Sequence, residues 1–433
     1  MWTMSIFLPG SYSIDSYNQW YEVNGARVYD DWYGTGLVAT WKWLWQLTGN
    51  YMCLYVAQTF AYWTFVTMLL WRVDIKNIGY WIGLGLGIFG CFIPQYVMRD
   101  SLCVLAWGIA TMLLVRASES EKHRRILTVM GLMLLAYGLW VRINMIAAFM
   151  PLVYIGILLL GGQRLAVWKR LALVVGACIV VFLGIHIVTY KIQKAYHAYP
   201  EYKLKLLDVT GISKLSGENL FPPEITSFHG FHMDTLMMKY TPAGVDDIYW
   251  PENGRPIWPY PNDSLNKSLT HAWVTAIKRH PFYYLENRLT GFIYYLHIKR
   301  RFPIGQYWNV VMFWIHPDGP LPAKLENSPL KDKLGKAYGS FDKTCLYDPW
   351  FWLLLNTIGV CIFGYRSFKK PGDLYWLTLA CIQLSGVVFI LSQALIYQHD
   401  RDFRYTYWNI FVVFLLIPGL YGKRQGAGVS PAP

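Results

Sequence analysis

The feature that most constrains this chain is a series of charge-free apolar runs, each roughly 16–22 residues long, separated by polar connections. About 20 helical residues cross a hydrocarbon core about 30 Å thick, so runs of this length are candidates for spanning a membrane. In lipid every backbone N–H and C=O must find its partner within the segment, which makes such runs helices. We place nine, at residues 51–71, 78–97, 101–115, 126–141, 145–161, 171–189, 350–366, 373–397 and 405–421. The expected fold class is an all-α membrane protein, a polytopic transmembrane helix bundle with a large extracytoplasmic segment.

Charge sorts the connections. Arg72 and Lys76 follow the first run, Arg116, Lys122, Arg124 and Arg125 the third, and Arg164, Lys169 and Arg170 the fifth. The series continues with Arg366, Lys369 and Lys370 and ends with Lys423 and Arg424. Every second connection is basic, so this set is expected on the cytoplasmic side, with the C-terminus. A net charge of +13 then needs no nucleic-acid partner, because much of it lies at run ends. The outward set comprises residues 1–49, the turns at Arg99-Asp100 and Arg142-Ile143-Asn144, the long segment 190–349, and 398–404. The organisation expected is a first outward loop with an amphipathic helix (1–49), spans (50–189), an outward segment (190–349), further spans (350–424) and a disordered tail (425–433). Nine spans place the N-terminus outside, behind only Met1–Pro9. We therefore expect a first helix upstream of Met1. Six of the seven cysteines sit in apolar runs and Cys345 has no evident partner, which excludes a disulfide framework and metal-binding spacing.

Within 190–349 the first part reads as loop, with Phe221-Pro222-Pro223 and a Pro-rich aromatic stretch from Trp250 to Pro261. Those aromatics suit sugar stacking or self-packing equally. Two helices follow. Asp263 or Ser264 can cap the first, which runs to Arg279, and Pro281 suits the first turn of the second. Phe282, Leu285, Leu289 and Phe292 then form one apolar face, fit for the membrane interface or for packing on the bundle.

Residues with chemical potential gather in the outward loops. The first holds Asp15, Asp30 and Asp31 among aromatics, ahead of Trp41, Trp43 and Trp45. It can be a solvated loop with interface anchors, or it can supply a general base, since burial at the edge of a bundle favours a carboxyl that accepts protons. Three carboxylates could equally bind a divalent cation. Arg99-Asp100 reads as a helix start with Asp100 in its first turn. Arg142 breaks the outward charge pattern and so needs a partner, an internal acid or a lipid-linked phosphate. In His399-Asp400-Arg401-Asp402-Phe403-Arg404, mutual salt bridges are one reading; a phosphate grip by Arg401 or Arg404 is the other.

Residues 9–45 resemble the first extracytoplasmic loop of GT-C glycosyltransferases, polytopic enzymes that use polyprenyl-phosphate-linked sugars. The resemblance is carried by Pro9-Gly10, Ser13-Ile14-Asp15-Ser16, Gln19 and the acidic element Asp30-Asp31-Trp32. It implies that Asp15 is the catalytic or acceptor-orienting acid, with Asp100 at a position where the family often places a second acid. It also implies a polyprenyl-phosphate-linked sugar as donor and a glycan or lipid-linked acceptor on the outer face. Many relatives carry His-Pro after the second acidic element, whereas this chain has Tyr33-Gly34-Thr35-Gly36. The phosphate-loop pattern Gly-x-x-x-x-Gly-Lys-Ser/Thr is absent, as expected if the donor is lipid-linked. The Gly-x-Gly-x-x-Gly string at Gly85, Gly87 and Gly90 lies inside an apolar run with no strand before it, so it is not a nucleotide fingerprint. Two other readings stand beside this one: an O-antigen polymerase or ligase, and a lipid-linked glycan transporter.

Overall fold

The computed structural model describes residues 10–249, 257–299, 344–396 and 403–422, with the single positions 333, 336 and 340. Residues 1–9, most of the Trp250–Pro261 stretch, Arg401 and the 425–433 tail lie outside the described residues. Every regular element among the described residues is helical. The first loop forms α1 (Ile14–Val23) and α2 (Thr35–Thr48). Next come α3 (Cys53–Leu70), α4 (Ile78–Phe89), α5 (Arg99–Glu119), α6 (Arg124–Val141) and α7 (Ile146–Leu159). Helix α8 (Val167–His186) continues into a π-turn over Ile187–Ile192. The long segment contributes α9 (Glu201–Ser216), α10 (Asp263–Arg279) and α11 (Pro281–Tyr295). The chain closes with α12 (Pro349–Lys369), α13 (Leu374–Ile396), α14 (Tyr407–Phe414) and α15 (Leu416–Tyr421).

Among the described residues, seven helical segments are long and apolar enough to cross a membrane: α3, α5, α6, α8 with its π-turn, α12, α13 and the Phe403–Tyr421 segment containing α14 and α15. The other two predicted runs are helical but shorter, over Ile78–Phe92 and Ile143–Leu159. Both are cut by backbone chemistry. The first tightens into a 3-10 turn at Gly90–Phe92 just before Pro94, whose ring cannot continue a helix. The second ends beside Gly161, whose φ of 107° is open to glycine and strained for other residues.

Helix α5 is the central element, buried on nearly every side against α3, α6, α13 and α14. Its Trp107 donates to the Leu135 carbonyl at 2.9 Å, so an aromatic with a polar tip is accommodated in the core. Beside the break between α14 and α15, Gln383 donates to the Val412 carbonyl at 2.8 Å, and Asn409 donates to the Gly386 carbonyl at 2.9 Å. These two bonds tie α13 to α14 beside that break. Helix α8 sits on the rim, with only Val174 and Cys178 buried, the pattern of a lipid-facing helix.

Residues 199–269 have a core of their own, including Tyr202, Leu206, Leu207, Phe221, Trp258 and Leu269. The sequence reading of 190–262 as loop is corrected here: α9 spans 16 residues of it. Its residues 205–213 are buried all round, so no amphipathic stripe marks it. Trp258 packs against Phe221 and Phe231 at ring distances of 5.4 and 5.7 Å, which makes it core rather than a sugar platform. Asn262, not Asp263 or Ser264, caps α10 by accepting from Leu265 N at 3.0 Å. Pro281 begins α11 as expected. The predicted apolar face of α11 is outward: Phe282, Leu285 and Leu289 are exposed, while Asn287 and Arg288 are buried. Arg288 and Trp273 both bond the buried Asp208, and these ties lock α9, α10 and α11 together.

Candidate functional site

The first loop is not a solvated decoration. Tyr12, Tyr17, Trp20 and Trp41 are buried in the bundle core. Ser11 exchanges backbone bonds with the chain before α5, to Gln95 O at 2.8 Å and from Val97 N at 3.1 Å. Ser13 caps α1, and the Ser16 hydroxyl donates to Val97 O at 2.6 Å. Residues 29–31 pair with Tyr196, just beyond the π-turn, through bonds of 2.7 and 3.2 Å. The Tyr33-Gly34-Thr35-Gly36 element lies on the end of α6. Gly34 has φ of 81°, and a Cβ there would sit 2.5 Å from Val141 O, so only glycine allows this approach.

This clamping builds a cavity of about 580 Å³ between the first loop, the starts of α5 and α7, the end of α6, the π-turn, α9 and Arg404-Tyr405. Asp15, Asp31, Arg142 and Arg404, four residues singled out in the sequence, line it together with Arg99, His197, Glu201 and Lys203. Phe182, Ile185 and Trp140 supply apolar wall from α8 and α6. A π-turn is a frequent device at functional sites, and here it aims Thr189 and Tyr190 into the cavity.

The four predicted acids have four different situations. Asp15 is 29% exposed and receives Arg404 Nη1 on Oδ2 at 3.0 Å; its Oδ1 makes no hydrogen bond among the described residues. Asp31 is saturated: Ala198 N donates to Oδ1 at 2.7 Å, while Tyr190 OH (2.6 Å) and His197 Nδ1 bond Oδ2. His197, from the long segment, thus brings an imidazole to the acidic element, although none follows it in sequence. Asp30 is not part of the cavity wall. It is buried against Arg27 at 2.6 Å and accepts from Trp32 N at 3.0 Å. Burial raises its carboxyl above the ordinary range, although Arg27 and the Trp32 N–H pull the other way. Asp100 is fully buried, ion-paired with Arg142 and outside the cavity wall. Among the described residues no cluster of three or more His, Cys, Asp or Glu is arranged to hold a metal ion.

The cations divide likewise. Arg142 is 3% exposed; it pairs with Asp100, donates to Asn144 at 3.1 Å and lies 5.0 Å from the Tyr405 ring. The partner its position demanded is therefore an internal acid. Arg404 is matched by Asp15. Arg99 and Lys203, which the sequence reading left without a role, line the same wall. Only their three-dimensional neighbours mark them. Behind the loop, Glu22 is buried beside Asp30, and burial followed by the Asp30 charge pushes its carboxyl up to about 8. Tyr33, hydrogen-bonded by Asn18 at 2.9 Å, has its phenol raised, chiefly by burial.

Comparison with family models, curated proteins and solved structures yields no match to this chain.

Proposed function

We propose that this protein is a multi-pass membrane glycosyltransferase of GT-C type, acting at the extracytoplasmic face of a bacterial inner membrane with its C-terminus in the cytoplasm. It would move a sugar from a polyprenyl-phosphate-linked donor to a glycan or lipid-linked acceptor. The observation that carries this reading is the cavity that joins Asp15 to arginines at one end of an apolar bundle. A carboxylate with an open oxygen and nearby guanidinium groups are the two things transfer from a phosphate-linked donor needs. In the proposed reaction Asp15 Oδ1 takes the proton of an acceptor hydroxyl. The hydroxyl oxygen attacks the anomeric carbon, the bond from that carbon to the phosphate oxygen breaks, and the phosphate leaves with the electron pair. Fixed positive charge on the cavity wall stabilises the departing anion without reorganising. Asp15 is preferred over the other acids because Asp31 has both oxygens engaged and Asp30 and Asp100 are buried in ion pairs.

One observation favours the polymerase or ligase reading. The long segment contributes His197, Glu201 and Lys203 to the cavity, so that segment is part of the site. The two readings separate by donor, a single lipid-linked sugar against a lipid-linked repeat unit.

The test is Asp15→Asn in membrane-inserted protein, assayed for consumption of a polyprenyl-phosphate sugar. Loss of at least about a hundredfold in turnover is expected for a proton-accepting group. Undiminished turnover removes Asp15 from the mechanism, and a wild type that consumes no such donor removes the enzyme class.

A further inference from the structure

Of the three arginines on the cavity wall, two are already neutralised. Arg142 is locked to Asp100 in the protein interior, and Arg404 is bound to Asp15. Drawing either toward a substrate anion would strip a carboxylate of its partner, and for Asp100 that carboxylate is buried. Arg99 is different. It lines the cavity, no acid pairs with it among the described residues, and its one hydrogen bond runs from Nη1 to the Trp32 carbonyl at 2.6 Å. A neutral carbonyl fixes the guanidinium without cancelling its charge. Nε and Nη2 remain as a planar two-donor edge, the geometry that matches two oxygens of a phosphate.

The surroundings reinforce that charge. Trp32 is itself held by Asp30 through its N–H at 3.0 Å, so the carbonyl that orients Arg99 is fixed. Lys203 lies against the same tryptophan, its Nζ 4.8 Å from the Trp32 ring and 4.4 Å from the Tyr249 ring. Two cations from distant parts of the chain thus flank one residue on one wall. Arg99 also opens α5, a helix of 21 residues whose N-terminus no side chain caps, and the helix dipole adds in the same sense.

We propose that Arg99, rather than Arg142 or Arg404, is the residue that grips the phosphate of the substrate. This rests on the phosphate-bearing donor of the proposed function and assigns its binding residue. Arg404 then serves as the positioning partner of Asp15, and Arg142 as the interior counter-charge of Asp100.

Binding tests this apart from turnover. Full-length protein in non-ionic detergent is titrated with dodecyl phosphate and, separately, with inorganic phosphate, by calorimetry. Arg99→Gln is expected to weaken dodecyl phosphate binding at least about tenfold, the loss of one charge-assisted pair of bonds. Arg404→Gln, which removes a guanidinium already matched by Asp15, is expected to weaken it distinctly less than Arg99→Gln does. Inorganic phosphate competing in an Arg99-dependent way means the site reads the anion alone; Arg99-dependent binding of the dodecyl ester only means it also reads the lipid chain. Either supports the assignment. Unchanged binding in Arg99→Gln, or an equal loss in Arg404→Gln, overturns it. If Arg99→Gln does not yield monodisperse protein, Arg99→Lys keeps the charge without the fork, and wild-type affinity in that variant overturns the assignment. Sugar transfer with undisturbed phosphate binding in Arg99→Gln would leave the enzyme reading standing and this one fallen. Arg99-dependent binding without any transfer would do the reverse.

Discussion

The Asp100–Arg142 pair permits the most quantitative prediction. Both side chains are 2% exposed, and they join the first turn of α5 to the residue that ends α6. Two charges so deep have each lost most of their hydration, and their mutual attraction offsets that loss only while both are present. Asp100→Asn keeps the shape but strands the Arg142 guanidinium, and Arg142→Met strands the Asp100 carboxylate. Each single change is expected to cost about 3–5 kcal/mol. At about 1.4 kcal/mol per factor of ten, that is between a hundredfold and a few thousandfold in the folding equilibrium. The double variant Asp100→Asn/Arg142→Met leaves no stranded charge and should lose far less than the sum of the two singles. The assay is reversible unfolding in mixed micelles, followed by helix content, for the wild type, the two singles and the double. Single losses below about 1 kcal/mol, the range of an exposed pair, would refute the interior pairing. Additive losses would refute the coupling. The pair also supports the cavity rim, because Arg142 lies 5.0 Å from the ring of Tyr405, next to Arg404.

Two further outcomes follow from the first loop. Glu22 has its carboxyl raised to about 8 in the fold, so between its ordinary value of 4.5 and 8 the folded state holds a proton that the unfolded state has lost. Stability from this group is therefore full below about pH 4.5 and lost as pH rises through 8. Glu22→Gln should raise stability at pH 8 by on the order of a few kcal/mol and change little at pH 4, which thermal melts at the two pH values would decide. Gly34→Ala forces a side chain into a left-handed backbone 2.5 Å from Val141 O, and it should destabilise by more than about 1 kcal/mol while lifting the Trp32–Thr35 wall off α6. Unchanged melting and unchanged dodecyl phosphate affinity would show that the close approach is not required.

Much of this architecture is legible in the chain itself, because lipid leaves a backbone no external partner. A span must satisfy its own hydrogen bonds, so each one is written locally as a charge-free run; all nine predicted runs contain helix, and among the described residues seven segments are long and apolar enough to cross a membrane. The same logic gave the positions of the connections between runs, and with them Asp15, Asp31, Arg142 and Arg404. What the sequence left undetermined is who meets whom. Asp15 and Arg404 are 389 residues apart, and Asp31 and His197 are 166 apart. No local pattern encodes such pairs, since ion pairing depends on distance in space. Helix α9 escaped notice for a related reason: packed on all sides, it has no periodic stripe to read. Charge alone made Arg142 and Arg404 equal candidates for a phosphate. Only the tertiary structure separates them from Arg99, because a guanidinium beside a buried acid is already satisfied, whereas one held by a carbonyl keeps its charge for a ligand.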